Sequence, residues 1–463
     1  MGIAINELLD QGAVRICSPC SNQFLSPYFL VQKANGNNRF ILNLKKLNTF
    51  LQPPHFKMED IRTVSRLIKQ DWVLSTIDLK NAYFLIPVHK NFTKYLRFQF
   101  EGHLFEFVCM PFGLCTAPFV FTKLIKPILH LLRSKGFVCV NYLDDFLLLS
   151  ETFEQRKSDT AFTVQLLHSL GFIINDEKSL LKPKSICKLL GFVFNTQSMR
   201  IELPFKKRQK IFVMLQNIRS AATLRIRTLA QFLGLLCSVC PAVKYGWLYT
   251  KQLERDKFLA LQMHHNNYDA RMSISSLSLQ DFSWWSSNIW SGDNNIRSDT
   301  YDLEIFTHSS LTGWGTTCNG QTTNGWWSLH HKHEHINFLE LMAIFYALKF
   351  FVTDRAAISI LIRCDNTTAL SYIDRMGSIQ YPKLCHLACQ IWTWCETRDL
   401  FVYAAYISSL DNVVTDIESR KLPTESDISL SLSTFELVCQ NFGTPDIDLF
   451  AIYENTKCSK YIS

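Results

Sequence analysis

Short apolar runs broken by polar punctuation dominate the first part of the chain. Ser26–Lys33 and Arg39–Leu44 flank Ala34-Asn35-Gly36-Asn37-Asn38, a pattern that predicts a hairpin. Ile5–Leu9 predicts a short helix before it, and Met58–Leu67 another after it. The run from Trp72 to Ile77 predicts a strand that ends in Asp78, with a helix-compatible turn behind it. Leu96–Phe100 and Leu104–Cys109 predict a second hairpin around Glu101-Gly102-His103. Met110–Pro118 reads as a loop leading into a helix over Phe119–Leu132, with proline in its first turn. Val138–Val140 and Phe146–Leu149 predict a buried hairpin with Asp144 and Asp145 at its tight turn. A helix over Thr152–Leu170 closes at Gly171. Phe172 to Ser179 reads as a strand and a polar turn, and Leu189–Phe194 as one more strand.

The pattern changes after residue 203. Residues 204–260 carry helical periodicity with many Lys and Arg. Residues 261–300, with Trp284, Trp285 and Trp290, read as a linker or connecting subdomain. From Tyr301 a second unit begins. It has a strand at Leu303–His308, others starting at Gly313-Trp314-Gly315 and Gly325-Trp326-Trp327, and a strong helix over Phe338–Phe351. A strand over Ile358–Cys364 ends at Asp365, with a helix behind it to about Met376. A helix at Leu384–Arg398, a strand at Phe401–Tyr406 and the segment Asn412–Ser419 complete it. Strands first and alternation afterwards predict an α/β domain with a mixed sheet.

Composition sharpens this only in places. At 463 residues and 47% hydrophobic content, the chain can build two or three domains with sizeable cores. A net charge of +8, spread along the chain, is compatible with a polyanionic partner. Fifteen cysteines include one Cys-x-x-Cys, Cys17 and Cys20, without a second pair at zinc spacing. Reduced thiols and an intracellular location, cytoplasm or nucleus, are therefore expected. The longest apolar helical stretch, Phe338–Val352, carries Glu340 and Lys349 and is too short for a bilayer, so no membrane partner is expected.

The candidate chemistry sits in the acids. Asp144 and Asp145 can be plain turn residues bonding their own backbone. Two like charges beside a core also repel and lose solvation unless a cation meets them, and a divalent metal does so naturally. Asp78 can be an N-cap or a strand-end site residue. Lys33 and Arg39 can be a solvated hairpin tip. Taken together, three carboxylates at strand ends could hold two metal ions, a nucleoside triphosphate and an attacking 3′-hydroxyl, with Lys33 and Arg39 on the triphosphate. His330, His331, His333 and His335 with Glu334 read as an exposed, solvated connection rather than a metal site.

Residues 12–200 resemble a retroelement reverse transcriptase, with its sequence blocks in their usual order. Thr76-Ile77-Asp78-Leu79-Lys80-Asn81-Ala82-Tyr83, Met110-Pro111-Phe112-Gly113-Leu114 through Pro118, and Tyr142-Leu143-Asp144-Asp145 carry the likeness. So do Gly171-Phe172 through Lys178 and Leu190-Gly191-Phe192. The resemblance implies a right-hand α+β polymerase with fingers, palm and thumb. It gives Asp78, Asp144 and Asp145 to Mg²⁺ or Mn²⁺, and Lys33 and Arg39 to the triphosphate. Tyr83 becomes the gate against the ribose 2′-OH. Phe112 and Gly113 line template and nucleotide, Lys178 protonates the pyrophosphate leaving group, and Leu190-Gly191-Phe192 is the primer-grip strand. Phe24-Leu25-Ser26-Pro27, Arg39–Leu44 and Phe56–Asp60 resemble the DIRS-like elements that encode a tyrosine recombinase.

Residues 301–421 resemble the ribonuclease H domain that follows such polymerases. Glu340, Asp365 and Asp416 fall on three of its four metal-binding carboxylates, but His308 stands where the first Asp belongs. RNA cleavage is therefore expected to be impaired, whether through decay of the copy or an adapted function. The expected organisation is fingers and palm over 1–203, thumb and connection over 204–300, the ribonuclease H-like domain over 301–421, and a truncated extension over 422–463. In that extension Pro445–Ala451 resembles a segment found after the nuclease of the same elements, and no recombinase, protease or integrase signature is present. The implied partners are an RNA template, a DNA primer, their hybrid, dNTPs and other element-encoded proteins. Two competing readings remain open: a non-catalytic nucleic-acid-binding remnant, and an RNA-templated RNA polymerase.

Overall fold

A four-stranded antiparallel sheet lies at the centre of the first unit. Its order is Val138–Tyr142, Asp145–Ser150, Val73–Asp78, Leu180–Lys184. The computed structural model describes residues 2–32, 38–296, 300–421, 430–449, 456–458 and 460–462. These divide into two units, residues 1–246 with 260–299 and residues 247–259 with 300–463.

The Asp145–Ser150 strand is apolar at four successive positions, Phe146 to Leu149, and all four are buried. Such a run requires cover on both faces of the sheet. Helices Ala117–Ser134 and Phe153–Ser169 pack on the sheet, and Phe121, Ile125, Phe146, Leu148 and Leu167 share one core. Thr152 caps the second helix through Gln155 N–H, and Gly171, at φ +84°, lies just past its end.

Ahead of this sheet, Arg97–Phe100 and His103–Phe107 form the expected hairpin, and Val14–Ile16 adds a third strand. Glu101 and Gly102 both have positive φ, the backbone of a two-residue turn that matches strand twist. Tyr28–Gln32 pairs with Asn38–Leu42, and rings of Phe40, Phe98, Phe105 and Phe107 fill the space beneath. Lys33 and the hairpin tip, 33–37, lie outside the described residues.

Three elements differ from the sequence reading. Phe172–Ile174 is not a strand; only Ile174 bridges, to Leu79, and the fourth strand is Leu180–Lys184. Pro183 in that strand suits an edge, where a missing N–H costs no ladder bond. Leu189–Phe194 is not one strand but the middle of a hairpin, Ile186–Leu189 with Phe192–Asn195. Leu190 and Gly191, both at positive φ, are its turn. Residues 261–300 are not a bare linker, since helix Ser278–Asn288 buries Phe282 and Trp285, and Phe282 stacks on Phe232. Asp293–Asn295 then joins the sheet of that hairpin through Arg200–Glu202.

The second unit holds a five-stranded sheet ordered Gln321–Trp326, Gly313–Cys318, Leu303–Ser309, Ser359–Cys364, Phe401–Tyr406. The first three are antiparallel neighbours and the last three parallel, so the sheet is mixed as expected. Gly325 lies near the end of its strand, not at the start. Alternation along Gly313–Cys318 separates the faces. Trp314 meets Tyr346 of helix Ile336–Phe351, with ring centroids 5.2 Å apart. Gly315 faces helix Val413–Ser419, where an added Cβ would stand 2.5 Å from the Thr415 carbonyl oxygen, so only glycine allows that approach. Among the described residues no helix is long and apolar enough to cross a membrane.

Candidate active sites

The strand register alone brings the first three acids together. Asp78, last in its strand, is the Cα partner of Asp145, first in its own. Asp144 occupies the two-residue turn before Asp145, and its carbonyl accepts Leu79 N–H at 2.9 Å. The other turn residue, Leu143, sits at φ +54°, a conformation that usually needs glycine. Asn141 holds it there: its amide donates to Leu143 O at 2.7 Å and to Asp145 O at 3.3 Å.

Asp78 is held from the polar turn after Gly171. Its N–H donates to Ser179 Oγ at 3.0 Å, and Asn175 Nδ2 donates to Asp78 Oδ1 at 2.8 Å. Lys178 Nζ stands 3.6 Å from Asp78 Oδ2. Burial, and then the neighbouring Asp144 and Asp78, push the Asp145 carboxyl up to about 6. Burial also raises Asp144, reinforced by Asp78 and opposed by Lys178 and Arg39. Carboxylates crowded at one sheet end, in excess over the cations beside them, are a donor set suited to divalent metal.

Beside these acids lies an aromatic wall. The Tyr83 ring is 5.3 Å from Phe112, and the Arg39 guanidinium lies 5.1 Å over that same Phe112 ring. Burial, then Asp144 and Tyr142, lift the Tyr83 hydroxyl to about 12, so it stays protonated. Gly113, at φ +93°, is pinned by Asn48, which donates to Gly113 O at 2.9 Å and accepts from Cys115 N–H at 3.0 Å. Arg39, Tyr83, Phe112, Asp144, Asp145, Asp78 and Lys178 are thus gathered around one sheet end. Sequence reasoning missed Asn48, Asn141, Asn175 and Ser179. Their shared signal is a short polar side chain next to a motif that needs an irregular backbone.

The second unit gathers its own cluster. His308 lies near the end of the central strand, Glu340 on the long helix, Asp365 just past Cys364, and Asp416 on helix Val413–Ser419. Ligand atoms of His308, Glu340 and Asp365 all lie within 4.8 Å of one another. His308 Nε2 is 3.6 Å from Asp365 Oδ2 and 3.3 Å from Asp416 Oδ1. Glu340 is buried, and burial followed by Asp365 pushes its carboxyl up to about 8. It accepts from Ser309 N–H at 3.1 Å and from the Cys364 thiol at 3.5 Å.

The histidine-rich connection is not drawn into one site. Glu334 pairs with Lys383 at 2.7 Å, and His335 Nδ1 accepts Asn337 N–H as a helix cap. The His331 ring meets Trp327 edge-on. None of the fifteen cysteines is in a disulfide.

Residues 31–194 match the family described as reverse transcriptase (RNA-dependent DNA polymerase). The Gag-Pol polyprotein of Walleye dermal sarcoma virus is 30% identical over 237 residues, covering 50% of this chain and 13% of that protein. The transposon Tf2-3 polyprotein of Schizosaccharomyces pombe is 29% identical over 192 residues, covering 42% and 14%. The Pol polyprotein from transposon opus of Drosophila melanogaster is 26% identical over 203 residues, covering 43% and 20%. The chain therefore spans a fifth or less of the length of these relatives. Among solved structures, a foamy viral protease-reverse transcriptase with double-stranded DNA has a TM-score of 0.56 at 18% identity, covering 91% of this chain and 69% of that one. The same kind of protein with an RNA/DNA hybrid has a TM-score of 0.54 at 18% identity, covering 93% and 56%. That likeness is one of fold, consistent with a polymerase fold. Residues 31–194 are thus similar to a reverse transcriptase domain. The relatives that share this similarity are retroelement and retroviral polyproteins.

Proposed function

We propose that the chain is an RNA-directed DNA polymerase of a retrotransposon, extending a DNA primer with dNTPs on an RNA template. The observation that carries this reading is the register of Asp78 against Asp145, with Asp144 in the adjoining turn. Asp78, Asp144 and Asp145 would hold Mg²⁺ or Mn²⁺. When bound, the metal pair would supply acidification of the primer 3′-hydroxyl and neutralisation of phosphate charge. Arg39, together with Lys33, binds the triphosphate. Its stack on Phe112 keeps the guanidinium flat and aimed. Tyr83 meets the sugar and rejects a 2′-hydroxyl, while Phe112 and Gly113 set the nucleotide floor. Lys178, 3.6 Å from Asp78 Oδ2, would deliver a proton to the pyrophosphate leaving group. In the organisation proposed, 1–203 form fingers and palm, and 204–300 form thumb and connection. The DIRS-like sub-group rests on the words around Phe24, Arg39 and Phe56. An intracellular site of action, cytoplasm or nucleus, follows from the same reading.

The second unit is proposed as a ribonuclease H-like domain impaired in cleaving RNA–DNA hybrid. The order of its strands and the positions of Glu340, Asp365 and Asp416 support this. Two divalent ions need about four negative ligands to balance them, and His308 supplies none.

RNA-templated primer extension by the full chain tests the main reading. Asp144→Asn should lose extension, while omission of RNA template should leave none. Extension that survives Asp144→Asn would sink it. Incorporation of ribonucleotides as readily as deoxynucleotides would favour an RNA polymerase instead. For the second unit, His308→Asp should raise hybrid cleavage by about 100-fold or more, and equal cleavage by both chains would defeat the impairment.

A further inference from the structure

The geometry points to a metal site in the second unit of a different kind from a magnesium pair. We propose that His308, Glu340 and Asp365 hold one divalent transition ion of the zinc class, with Asp416 facing it.

His308 is oriented from behind by Ser419. Ser419 Oγ donates to the Asp416 carbonyl at 2.8 Å, so its own hydrogen is committed. It lies 3.4 Å from His308 Nδ1, and with its hydrogen spent it can only accept there. Nδ1 is then the nitrogen turned toward Ser419, and Nε2 is the one turned toward the acids. It faces Asp365 Oδ2 at 3.6 Å and Asp416 Oδ1 at 3.3 Å. Ligand atoms of His308, Glu340 and Asp365 lie within 4.8 Å of one another, and carboxylates brought that close repel unless a cation stands between them. His308 is 92% buried, since its exposure is 8%, so water screens this poorly.

The surroundings are those of ligands oriented from behind. Ser419 orients the imidazole, Ser309 N–H fixes Glu340 and Ser409 Oγ donates to Asp365 Oδ2 at 2.7 Å. Arg420 holds Asp416 at 2.9 Å.

The donor type sets the ion. Magnesium takes oxygen ligands in strict octahedral order, whereas imidazole suits zinc and its neighbours. Three protein ligands, one of them nitrogen, leave a position open for water or substrate, as in zinc sites of the His/carboxylate type. The same substitution that unbalances a magnesium pair therefore builds a one-ion site of altered preference. This rests on four side chains and not on the nuclease reading. Zinc binding without RNA cleavage in any variant would sink the nuclease reading and leave this one standing.

The test is calorimetric titration of Zn²⁺ into the full chain carrying Asp144→Asn and Asp145→Asn, in buffer with excess Mg²⁺. One more Zn²⁺ should bind than in the same chain with His308→Ala, because binding to free thiols is common to both. In a second variant, His308→Asp, Mg²⁺ should displace the ion that it cannot displace from the His308 chain. Equal Zn²⁺ stoichiometry with and without His308 would overturn the proposal. If His308→Ala fails to fold by circular dichroism, the His308→Asp comparison decides alone: unchanged competition by Mg²⁺ overturns it.

Discussion

Both units collect carboxylates at the ends of sheet strands, yet they meet the resulting charge in opposite ways. In the first unit the acids stay partly solvated, and Lys178, itself mostly exposed, pairs with Asp78 at 3.6 Å. Asp145 rises to about 6 and no further. In the second unit Glu340 is buried to 3% exposure and rises to about 8. A solvated cluster tolerates its own repulsion and stays open to an incoming polyanion and its counterions. A buried acid such as Glu340 does not, so an imidazole beside it, in place of one more carboxylate, spares the fold further repulsion. This explains how His308 can sit deep in a well-packed sheet without disturbing it. It also separates fold from chemistry: the strand pairings around His308 are regular, so the fold there does not depend on the charge of that side chain.

The largest effect is expected from making the first site resemble the second. Asp78→His would leave the strand pairing intact, because Asp78 is the last residue of its strand. It would remove the carboxylate that receives Asn175 and Lys178 and faces Asp145. Primer extension on RNA should fall about 1000-fold or more, with circular dichroism unchanged. Retention of extension within about tenfold would break the comparison, since it would mean that the site tolerates a neutral ligand.

How much of this was legible in the sequence follows from the same contrast. Asp78, Asp144 and Asp145 could be paired in advance because each ends an apolar run, and strand ends of one sheet share a rim. The mixed sheet of the second unit followed from alternation, and His308 stood out against the pattern. The sequence did not reveal the strand Leu180–Lys184, where charge and Pro183 hide an edge strand's periodicity. Phe172–Ile174 looked like a strand because it is apolar, but Phe172 and Ile174 serve the core under helix Phe153–Ser169 while Ile173 is exposed, and the single bridge from Ile174 to Leu79 makes no ladder. The turn at Leu190-Gly191 was read as strand because Leu is rarely placed at positive φ. The supporting asparagines were invisible for another reason. Asn141 and Asn48 act through backbone carbonyls and N–H groups, whose positions no side-chain pattern encodes.

A smaller effect should appear in the second unit as pH dependence. Glu340 carries a folded value of about 8 against an ordinary 4.5, so between these values the folded chain binds more protons than the unfolded one. Its contribution to stability is full below the lower value and is lost as pH rises through the higher. In chelator, the second unit should therefore weaken by a few kcal/mol between about pH 5 and about pH 9. Glu340→Gln should flatten that slope, as thermal melts across the range would register. An unchanged slope would mean that the burial of Glu340 is relieved in solution, and the contrast between solvated and buried acids would lose its second half.

The smallest effect concerns how each site is held. None of His308, Glu340, Asp365 or Asp416 has positive φ, whereas the first site depends on Leu143 at +54°. Its two carbonyl contacts make Asn141 the tether of that turn. Asn141→Ala should cost about 1–2 kcal/mol in denaturant melts and slow extension by about tenfold through looser placement of Asp144. Adding Leu143→Gly supplies a residue that adopts positive φ unaided, so part of the lost rate should return even though a packing side chain is removed. That recovery distinguishes a turn held by Asn141 against strain from one that merely packs beside it. If the double variant is slower than Asn141→Ala alone, the Leu143 side chain rather than the turn conformation is what places the acids.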